Sequence, residues 1–374
     1  MSKGLLRRKI TLLEPFFTGS HRQWAEGLQR HSGHEIELLT LQGRHWKWRM
    51  YGGAVALADK FNKSDFLPDL ILASDMLDLA TFLSLARKKS KDIPAAVYFH
   101  ENQITYPWSP DDKDVQLGRD NQYGFINYTT ALTAGAVFFN SLFHKNIFLE
   151  SLPKFLRQFP DHRGLENIGH IAAKSKVLYL GMDLNKFDKY KTTAKNKAPI
   201  ILWNHRWEYD KNPELFFEIL FQLKKENIAF GLIVLGKAYK KTPPIFAEAK
   251  NILAENILHF GYADNFPEYA KWLWKADILP VTSNQDFFGG SIVEAVYCNC
   301  FPILPKRLAY PEHLPAEMHG QHFYENKKGF YEILKRAVIG FENARRFSGS
   351  NYVAKYDWPE MIKEYDLLLG QIKR

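Results

Sequence analysis

Segments with the pattern of β-strands and segments with the pattern of α-helices alternate along almost the whole chain. Short apolar runs typical of buried strands are each followed by a stretch with helical spacing of apolar residues. Such alternation predicts parallel sheets with helices on both faces, because parallel strands need long crossover connections that are usually helical. A chain of 374 residues also exceeds the size at which one hydrophobic core keeps growing. The predicted fold class is therefore α/β, with two doubly wound Rossmann-like domains.

The predicted elements divide the chain into two domains. Strands are predicted at residues 10–14, 35–41, 70–73, 95–100, 136–140, 177–179, 200–203, 231–235, 257–260, 277–281 and 301–304. Helices are predicted, among others, at residues 22–30, 77–88, 121–133, 214–226, 246–254, 291–297 and 359–372. The Lys- and Asn-rich stretch 186–197 has the composition of a linker. We therefore predict an N-terminal domain over residues 1–185, with a C-terminal helix at about 357–374 packing back on it, and a C-terminal domain over residues 186–356.

The composition limits the partners and the setting. Lys and Arg number 50 against 41 Asp and Glu, and the resulting net charge of +9 favours polyanionic partners such as nucleic acid or anionic lipid head groups. The two cysteines, Cys298 and Cys300, are too few for a metal cage, and this low count is typical of a reducing, cytoplasmic setting. No apolar run approaches the length of a membrane span. We therefore expect a cytoplasmic protein without stable membrane association, and the sequence leaves its oligomeric state open.

A glycine turn between two carboxylates is the most informative local feature. A predicted strand ends before Asp286, which is followed by Gly289 and Gly290. An apolar helix is predicted to start at Ser291 and to carry Glu294 in its first turn. Exposed backbone amides at a helix N-terminus suit an anion, whereas the carboxylates suit hydroxyl groups, and the two together indicate a nucleotide sugar. The alternative is a capping box formed by Ser291 and Glu294, and the two interpretations are compatible.

Three more polar loops follow predicted strands, where ligands bind in doubly wound sheets. They contain Gly19, Ser20 and His21 in the first loop, His100, Glu101 and Asn102 in the second, and His205, Arg206 and Lys211 in the third. Gly19 permits close approach of a ligand, and Ser20 is predicted to cap the following helix. An arginine fork with a lysine at a helix start is suited to a diphosphate. Each loop also has a structural alternative, namely an ordinary strand-to-helix turn, a structural histidine or a solvated pair of cations.

A basic and aromatic run in the first domain is a candidate RNA-binding surface. The run is GRHWKWRMY, residues 43–51, and its candidate residues are Arg44, Trp46, Lys47, Trp48 and Arg49. Cations can neutralise phosphates while aromatic rings stack on unpaired bases, and an anticodon loop offers both groups. The alternative is a loop whose two tryptophans belong to the core and whose charges face water.

The order of these features resembles the GT-B glycosyltransferases, specifically the retaining family-four type, over nearly the whole chain. The resemblance implies two Rossmann-like domains that face a cleft. The carboxylate pair of that family corresponds to Asp286 and Glu294, the first being Asp where the family usually has Glu. Its central histidine corresponds to His100, and the cations that hold the donor diphosphate correspond to Arg206 and Lys211.

Four longer strings resemble one group within that family more closely. The strings are LEPFFTGSHRQW, YFHENQITYP, ILWNHRWEYDKNPELFF and DFFGGSIVEAVYCNCFPILPKRLAYPE. They are similar to the tRNA-queuosine mannosyltransferases. This resemblance implies transfer of mannose, with retention of configuration, from GDP-mannose to the cyclopentenediol of queuosine in the anticodon of tRNA-Asp.

The resemblance and the loop chemistry together imply the roles of the site residues. The catalytic residues would be His100, Arg206, Lys211 and Asp286. The donor-binding residues would be Gly19, Ser20, His205, Gly289, Gly290, Ser291 and Glu294. The acceptor- or RNA-binding residues would be His21, Arg44, Trp46, Lys47, Trp48, Arg49, Glu101 and Asn102. Because two cations and helix amides would stabilise the leaving diphosphate, we expect no metal and no cofactor beyond the nucleotide-sugar donor.

Two other functions compete with this interpretation. One is a related GT-B transferase that uses another nucleotide sugar and acts on a different modified nucleoside or on a lipid-linked or surface glycan. The other is a non-catalytic nucleotide-sugar binder, which would be expected to lack Arg206, Lys211 or Glu294, and all three are present. The first alternative stays open, because the residues alone identify neither the donor base, the hexose nor the acceptor nucleoside.

Overall fold

The chain forms two compact units. The computed structural model describes residues 7–109, 112–192, 196–238 and 242–373. The first unit comprises Met1–Asp183 and Trp358–Arg374, and the second comprises Leu184–Asp357. Each unit contains one six-stranded parallel sheet with helices, which confirms the predicted α/β fold class. The assignment of the acceptor to the first unit and of the donor to the second stays a prediction.

In the described part of the chain before residue 183, the first unit has six strands and eight helices. The strands are β1 (Lys9–Phe17), β2 (Glu35–Gln42), β3 (Leu70–Ser74), β4 (Ala95–Phe99), β5 (Ala136–Phe139) and β6 (Ser175–Val177). The helices are α1 (Gly19–His31), α2 (Trp46–Lys63), α3 (Leu79–Leu85), α4 (Arg87–Ser90), α5 (Lys113–Gln116), α6 (Asn121–Thr133), α7 (Leu142–Leu156) and α8 (Asn167–Ala173). The strands pair in parallel in the order β2-β1-β3-β4-β5-β6.

The sequence of the central strands explains their place in this sheet. All five residues of β3 and all five of β4 are buried, as expected for parallel strands covered on both faces. Phe61 of α2, Phe82 of α3 and Phe148 of α7 are buried in one core cluster that includes residues of these strands. The direction of winding changes between β1 and β3, and ligands of doubly wound sheets bind at such a point. The loops after β1, β3 and β4 therefore form a candidate ligand edge.

The second unit repeats this architecture. Its strands are β7 (Ile200–Asn204), β8 (Gly231–Leu235), β9 (Ile257–Gly261), β10 (Ile278–Pro280), β11 (Phe301–Pro305) and β12 (Phe323–Tyr324). Its α-helices are α9 (Pro213–Lys225), α10 (Ile245–Ile252), α11 (Phe266–Lys275), α12 (Gly290–Tyr297), α13 (His319–His322), α14 (Lys327–Ile339), α15 (Phe341–Ala344) and α16 (Ser350–Val353). Short 3-10 helices lie at Asn185–Tyr190, Tyr209–Lys211, Ala254–Asn256, Tyr310–Glu312, Ala316–Met318 and Ala354–Tyr356. The strand order is β12-β11-β10-β7-β8-β9, so the winding changes direction between β7 and β10.

The last helix, α17 (Trp358–Gln371), packs within the first unit. The indole Nε1 of Trp24 in α1 donates a hydrogen bond of 3.0 Å to the hydroxyl of Tyr365. That hydroxyl donates in turn to the carbonyl of Tyr179 over 2.9 Å. Trp358 is fully buried, and its backbone N–H donates to the carbonyl of Met182. Within the described residues, no helix has both the length and the apolar character that a membrane crossing requires.

Several predicted boundaries are wrong, each for a local reason. The strand predicted at 177–179 is β6, two residues earlier, and it belongs to the first sheet. Part of the predicted linker 186–197 is the 3-10 helix Asn185–Tyr190, and residues 193–195 lie outside the described residues. The interpretation of residues 43–51 as a loop is wrong, because β2 extends to Gln42 and α2 begins at Trp46.

The two predicted serine caps are also wrong. Helix α1 begins at Gly19, whose φ is +52°, and Thr18 is its N-cap residue, so Ser20 lies inside the first turn. Helix α12 begins at Gly290, and its N-cap is Gly289 with a φ of +84°. This left-handed conformation favours glycine, so the chain enters both helices through a glycine. Ser291 therefore lies inside α12, and the alternative of a capping box is wrong because no side-chain bond caps this helix.

The close packing of α1 on α17 gives a stability prediction. A Cβ atom at Gly27 would lie 2.0 Å from Nε1 of Trp358. We expect Gly27→Ala to destabilise the first unit by about 1–3 kcal/mol, because the buried indole has to move. The matched control is Gly169→Ala in α8, where a Cβ meets nothing within 4 Å. This control should be neutral or stabilising by up to about 1 kcal/mol. Urea unfolding measures both values, and equal effects of the two substitutions would contradict the predicted clash.

Candidate functional site

A buried lysine lies at the carboxyl edge of the second sheet, where the winding changes direction. Lys211 follows β7, and only 7% of its side chain is exposed. Its Nζ lies 3.0 Å from Oδ1 of Asp286 and 3.2 Å from Oδ2 of Asp210. It also donates a hydrogen bond of 2.6 Å to the carbonyl of Gln285. The hydroxyl of Thr282, after β10, donates to the carbonyl of Lys211 and so ties the two strand ends together.

Asp286 is a carboxylate whose negative charge is stabilised by its surroundings. Besides the Lys211 ammonium, it accepts a hydrogen bond of 2.5 Å from the hydroxyl of Tyr310. Burial alone would raise the pKa of Asp286, but the charge of Lys211, the proximity of His205 and the hydrogen bond from Tyr310 lower it below the usual range. Asp286 therefore stays ionised at neutral pH and can accept further hydrogen bonds from hydroxyl groups.

Glu294 is held by a tyrosine in a similar way. The hydroxyl of Tyr269, in α11, donates a hydrogen bond of 2.6 Å to Oε2 of Glu294. The amide of Asn204, at the end of β7, donates both to that hydroxyl and to the carbonyl of Ser291, each over 2.9 Å. Burial raises the pKa of Glu294, and the hydrogen bond from Tyr269 opposes this rise. Both predicted carboxylates thus accept hydrogen bonds from tyrosine hydroxyl groups, which is the kind of contact predicted for a sugar.

Arg206 differs from Lys211 in its exposure. The side chain of Arg206 is 47% exposed, and its guanidinium lies 3.0 Å from Glu208 and 3.9 Å from Asp210. Asp210 is buried and is paired with both cations, because its Oδ2 lies 3.9 Å from the Arg206 guanidinium and 3.2 Å from the Lys211 ammonium. An incoming diphosphate would have to replace carboxylates as the partner of each cation. The exposed guanidinium is the easier of the two to redirect, because its present ion pairs are close to solvent.

His205 and the glycine turn complete this edge of the second unit. His205 is buried, and its Nε2 has no hydrogen-bond partner among the described residues. Burial above all, together with the charges of Lys211 and Arg206 and against the influence of Asp286, lowers the pKa of His205 to about 4. The imidazole is therefore uncharged at neutral pH. Gly289 and Gly290 open helix α12, whose first backbone amides lack partners within the helix, as predicted for an anion site.

In the first unit, a buried carboxylate holds a charged histidine. Glu14, near the end of β1, is fully buried and accepts the backbone N–H of Phe16 over 2.8 Å. Its other oxygen lies 3.0 Å from Nδ1 of His21. Burial opposes the charge of His21, but Glu14 outweighs burial and, with smaller contributions from Asp75 and Glu101, raises the pKa of His21 to about 9. At neutral pH His21 therefore carries its proton beside the buried Glu14 side chain.

His100 lies directly against this pair. The ring centroids of His21 and His100 are 4.3 Å apart. The backbone N–H of His100 donates to Oδ1 of Asp75 over 2.8 Å, and its Nε2 has no hydrogen-bond partner among the described residues. Burial, together with the charge of His21 and the neighbouring His144, lowers the pKa of His100 well below its usual range. His100 is therefore an uncharged imidazole whose polar edge is not used within the described protein.

The other predicted residues of these loops have mainly local contacts. The side-chain oxygen of Asn102 accepts the backbone N–H groups of Ile104 and Thr105 and so shapes the turn after β4. Glu101 accepts a hydrogen bond of 2.9 Å from the amide of Gln103. Gly19 and Ser20 are exposed at the start of α1. The predicted ligand-binding roles of these residues stay predictions.

The candidate RNA-binding run divides into an internal and an external part. Nζ of Lys47 lies 2.5 Å from Asp112 and 2.5 Å from Asp114, and 5.2 Å from the ring centroid of Trp108. Trp46 packs beside Trp108 in the same partly buried cluster. Asp112 and Asp114 have the Asp-x-Asp spacing often associated with divalent ions, but here both bind the Lys47 ammonium.

The external part consists of Arg44, Trp48 and Arg49. The Trp48 side chain projects into solvent, and this residue is 63% exposed. Arg44 is exposed and precedes α2, whereas Nε of Arg49 donates to the carbonyl of Gln42 over 3.0 Å. Only this external part presents cations and an aromatic ring to water in the way that base stacking and phosphate contact require.

Sequence patterns did not indicate three important partners of the predicted residues. Tyr269 and Tyr310 orient the two carboxylates but lie 25 and 24 residues from them along the chain, too far for a local pattern to reveal. Asp210 lies next to Lys211, yet its burial is visible only in the fold. The predicted absence of a metal also stays a prediction. Glu14, His21 and His100 each offer one possible ligand atom for a metal ion, and these three atoms lie within 4.8 Å of one another.

Comparison with known proteins gives two matches to family models and a close relative. Residues 9–182 match the model described as tRNA-queuosine alpha-mannosyltransferase N-terminal, and residues 185–348 match the model of group 1 glycosyl transferases. The tRNA-queuosine alpha-mannosyltransferase of Drosophila melanogaster is 34% identical over 365 residues, which cover 93% of this chain and 95% of the relative. The match therefore includes both units.

Solved structures with low sequence identity share the fold. HepE of Anabaena in complex with UDP is 17% identical, with a TM-score of 0.64, and the match covers 96% of this chain and 99% of that one. A sucrose-phosphate synthase from Thermosynechococcus elongatus is 15% identical, with a TM-score of 0.69, covering 98% of this chain and 99% of the other. These similarities confirm the predicted GT-B fold class and say nothing further about the substrates of this chain.

The different burial of the two cations predicts different effects on stability. Lys211→Met leaves Asp286 and Asp210 without their buried counter-ion, so we expect the free energy of unfolding to fall by about 3–5 kcal/mol. Arg206→Met removes a half-exposed group and should cost no more than about 1 kcal/mol. Urea unfolding followed by fluorescence provides the measurement. If both variants were as stable as the wild type, the Lys211 ion pairs would not contribute as the structure indicates.

Proposed function

The chain belongs to the tRNA-queuosine alpha-mannosyltransferase family, and on this premise we propose that it transfers mannose from GDP-mannose, with retention, to the queuosine cyclopentenediol in the anticodon of tRNA-Asp. The observation that carries the proposal is the match of residues 9–182 to the N-terminal model of that family. The group 1 glycosyl transferase model alone would leave the acceptor open. The similarity to the Drosophila relative along both units supports the same acceptor.

In this proposal, the second unit stabilises the leaving GDP. The bond between C1 of mannose and the β-phosphate oxygen breaks, and negative charge grows on the diphosphate. Arg206, Lys211 and the backbone amides at the start of α12 would interact with this charge, which is electrostatic stabilisation of the transition state. With retention, the acceptor hydroxyl attacks from the face that GDP leaves, and the departing phosphate takes the hydroxyl proton. The described residues then need to supply no nucleophile.

The two carboxylates would recognise the hydroxyl groups of the donor. Glu294, oriented by Tyr269, would accept hydrogen bonds from the ribose. Asp286 would accept a hydrogen bond from a mannose hydroxyl, since its lowered pKa keeps it ionised and able to accept. The tyrosine hydroxyls already fix the orientation of both groups, so little side-chain entropy would be lost when the donor binds.

His100 would orient the transferred sugar. Its burial and its uncharged state suit a hydrogen bond to a hydroxyl group, because a neutral imidazole has one donor and one acceptor nitrogen. The free Nε2 supports this role, since a buried polar atom without a partner is costly in the absence of a ligand.

A tRNA substrate gives the external part of the basic run a role. Arg44 and Arg49 would contact phosphates, and Trp48 would stack on an unpaired base of the anticodon loop. Trp46 and Lys47 would hold the start of α2 in place, because Trp46 packs beside Trp108 and Lys47 pairs with Asp112 and Asp114. A tRNA substrate would also place the protein in the cytoplasm, and the buried free thiols of its two cysteines agree with a reducing setting.

The modified nucleoside provides the direct test of the acceptor. Purified protein is incubated with GDP-mannose and tRNA-Asp from cells with or without queuosine, and the nucleosides are analysed by mass spectrometry. We expect queuosine to gain one hexose, the queuosine-free tRNA to stay unchanged, and other queuosine-containing tRNAs to react poorly. A panel of other nucleotide sugars tests the donor in the same assay. Equal labelling of tRNA with and without queuosine would contradict the proposed acceptor.

The RNA-binding surface gives a second prediction. Each phosphate contact that is lost should reduce the slope of log K against log salt by about 0.7 for single-stranded RNA. We expect Arg44→Ala with Arg49→Ala to flatten this slope, and Trp48→Ala to weaken tRNA binding by about 1–3 kcal/mol through lost stacking. The matched control is Val55→Ala, which changes another exposed residue of α2 (58% exposed). GDP binding should be unchanged in all variants, and unchanged tRNA affinity of the Trp48 variant would exclude stacking.

A further inference from the structure

We propose that Glu14 and His21 are positioning residues for mannose transfer: Glu14 fixes the ring of His21, and His21 fixes the ring of His100 so that its Nε2 is presented to the sugar. This proposal rests on the proposed function, because it takes His100 as the residue that contacts mannose. The sequence pattern alone assigned His21 to the acceptor and gave Glu14 no role.

The first link is the full burial of Glu14. Each of its two carboxylate oxygens has one partner, namely the N–H of Phe16 and the imidazole of His21. Removing a carboxylate from water costs several kcal/mol unless it is paired, and an apolar residue at this position would avoid that cost. The carboxylate also restricts His21, because a hydrogen bond at Nδ1 determines both the orientation of the ring and the position of its proton.

The second link is the enclosure of the His100 ring. The ring of His21 lies 4.3 Å from it, with the planes tilted by 40°. Trp24 contacts it edge-on at 4.7 Å, and Tyr98 lies at 4.8 Å. Trp24 and Tyr98 are themselves fully buried and stacked on each other. Of the three rings around His100, that of His21 is held by a carboxylate, whereas Trp24 donates to the hydroxyl of Tyr365 and Tyr98 donates to the carbonyl of Leu178.

The third link is the charge around the two histidines. The titratable groups that face them come from every neighbouring element: Glu14 in β1, Asp75 after β3, Glu101 after β4 and His144 in α7. Glu14 contributes most to the positive charge of His21, and this charge together with burial keeps His100 neutral. The pair therefore helps to fix the position of the His100 ring, and the charge of His21 adds to the effect of burial in keeping that ring neutral.

Glu14→Gln tests the pair while keeping the shape of the side chain. We expect kcat and kcat/KM for mannose transfer to fall together, roughly 10- to 100-fold, as is typical when a group that orients a catalytic residue is lost. GDP affinity should fall by less than kcat, because Arg206, Lys211 and Glu294, which are proposed to contact GDP, lie in the second unit. Glu14→Asp should restore part of the rate.

The pH profile separates positioning from a merely structural role. In the wild type, the pKa of His21 is about 9, so His21 keeps its proton across neutral pH and should itself cause no change in kcat between pH 6.5 and 8. A step near pH 8 would belong to Asp75, whose pKa burial raises to about 8, and it would be present in the wild type as well. Without Glu14, burial dominates and the pKa of His21 falls. In Glu14→Gln, we therefore expect a loss of kcat with rising pH at or below neutrality. Nitrogen NMR of the histidine rings reports the same titration directly.

Glu37→Gln is the matched control. Glu37 lies in the neighbouring strand β2 and accepts hydrogen bonds from the hydroxyls of Thr11 and Ser64, with no histidine partner. The Glu37→Gln variant should retain the wild-type kcat and the wild-type pH profile. If Glu14→Gln fails to fold, His21→Gln provides the second variant, and it should show the same loss of kcat without a pH-dependent step.

The outcomes distinguish this inference from the proposed function. If the wild type transfers no hexose to queuosine, the proposed function fails, while NMR of His21 still tests whether Glu14 holds its proton. If the wild type is active and Glu14→Gln keeps its kcat and pH profile, the positioning role is wrong. Loss of activity with a chelator that a divalent ion restores would also overturn it, because Glu14, His21 and His100 would then be metal ligands.

Discussion

The buried ion pairs of Lys211 are the interaction on which the second unit depends. The ammonium lies where the winding of the sheet changes direction, and it joins the loops after β7 and β10 through Asp286, Asp210 and the carbonyl of Gln285. A cation in this position costs desolvation energy, which the protein offsets with two carboxylates. The same carboxylates fix the position of the ammonium group. In the proposed function, this structural cross-link would also serve as part of a diphosphate site.

The two units use buried charge in different ways. In the second unit, the ionised Asp286 lies beside the uncharged His205, and both face a lysine. In the first unit, the positive charge is on His21, whose carboxylate partner Glu14 is fully buried, and the neighbouring His100 is neutral. In each unit, one histidine is thus held uncharged next to a cation. Neutral histidines can hydrogen-bond sugar hydroxyls without attracting a diphosphate, so under the proposed function the two kinds of ligand group would be recognised by different residues.

Local patterns predicted the elements well and their long-range partners poorly. Strand β8 and helix α6 were predicted with their observed boundaries, because an uninterrupted apolar run and regular helical spacing are visible in short windows. The start of α2 was missed, since alternating cations and aromatic residues hide its helical period. The pairing of Lys47 with Asp112 and Asp114 depends on residues more than 60 positions away, which no local pattern contains.

The most direct test of the central claim is calorimetric binding of GDP and GMP to the wild type and to Arg206→Ala. Arg206 is the better choice for substitution, because the removal of Lys211 also destabilises the unit. We expect the wild type to bind GDP at least about tenfold more tightly than GMP, since the β-phosphate meets the cations. In Arg206→Ala this ratio should fall but stay above one, because Lys211 and the amides of α12 remain, and GMP affinity should be little changed. Equal binding of GDP and GMP by the wild type, or an unchanged ratio in the variant, would contradict a diphosphate site at this edge of the sheet.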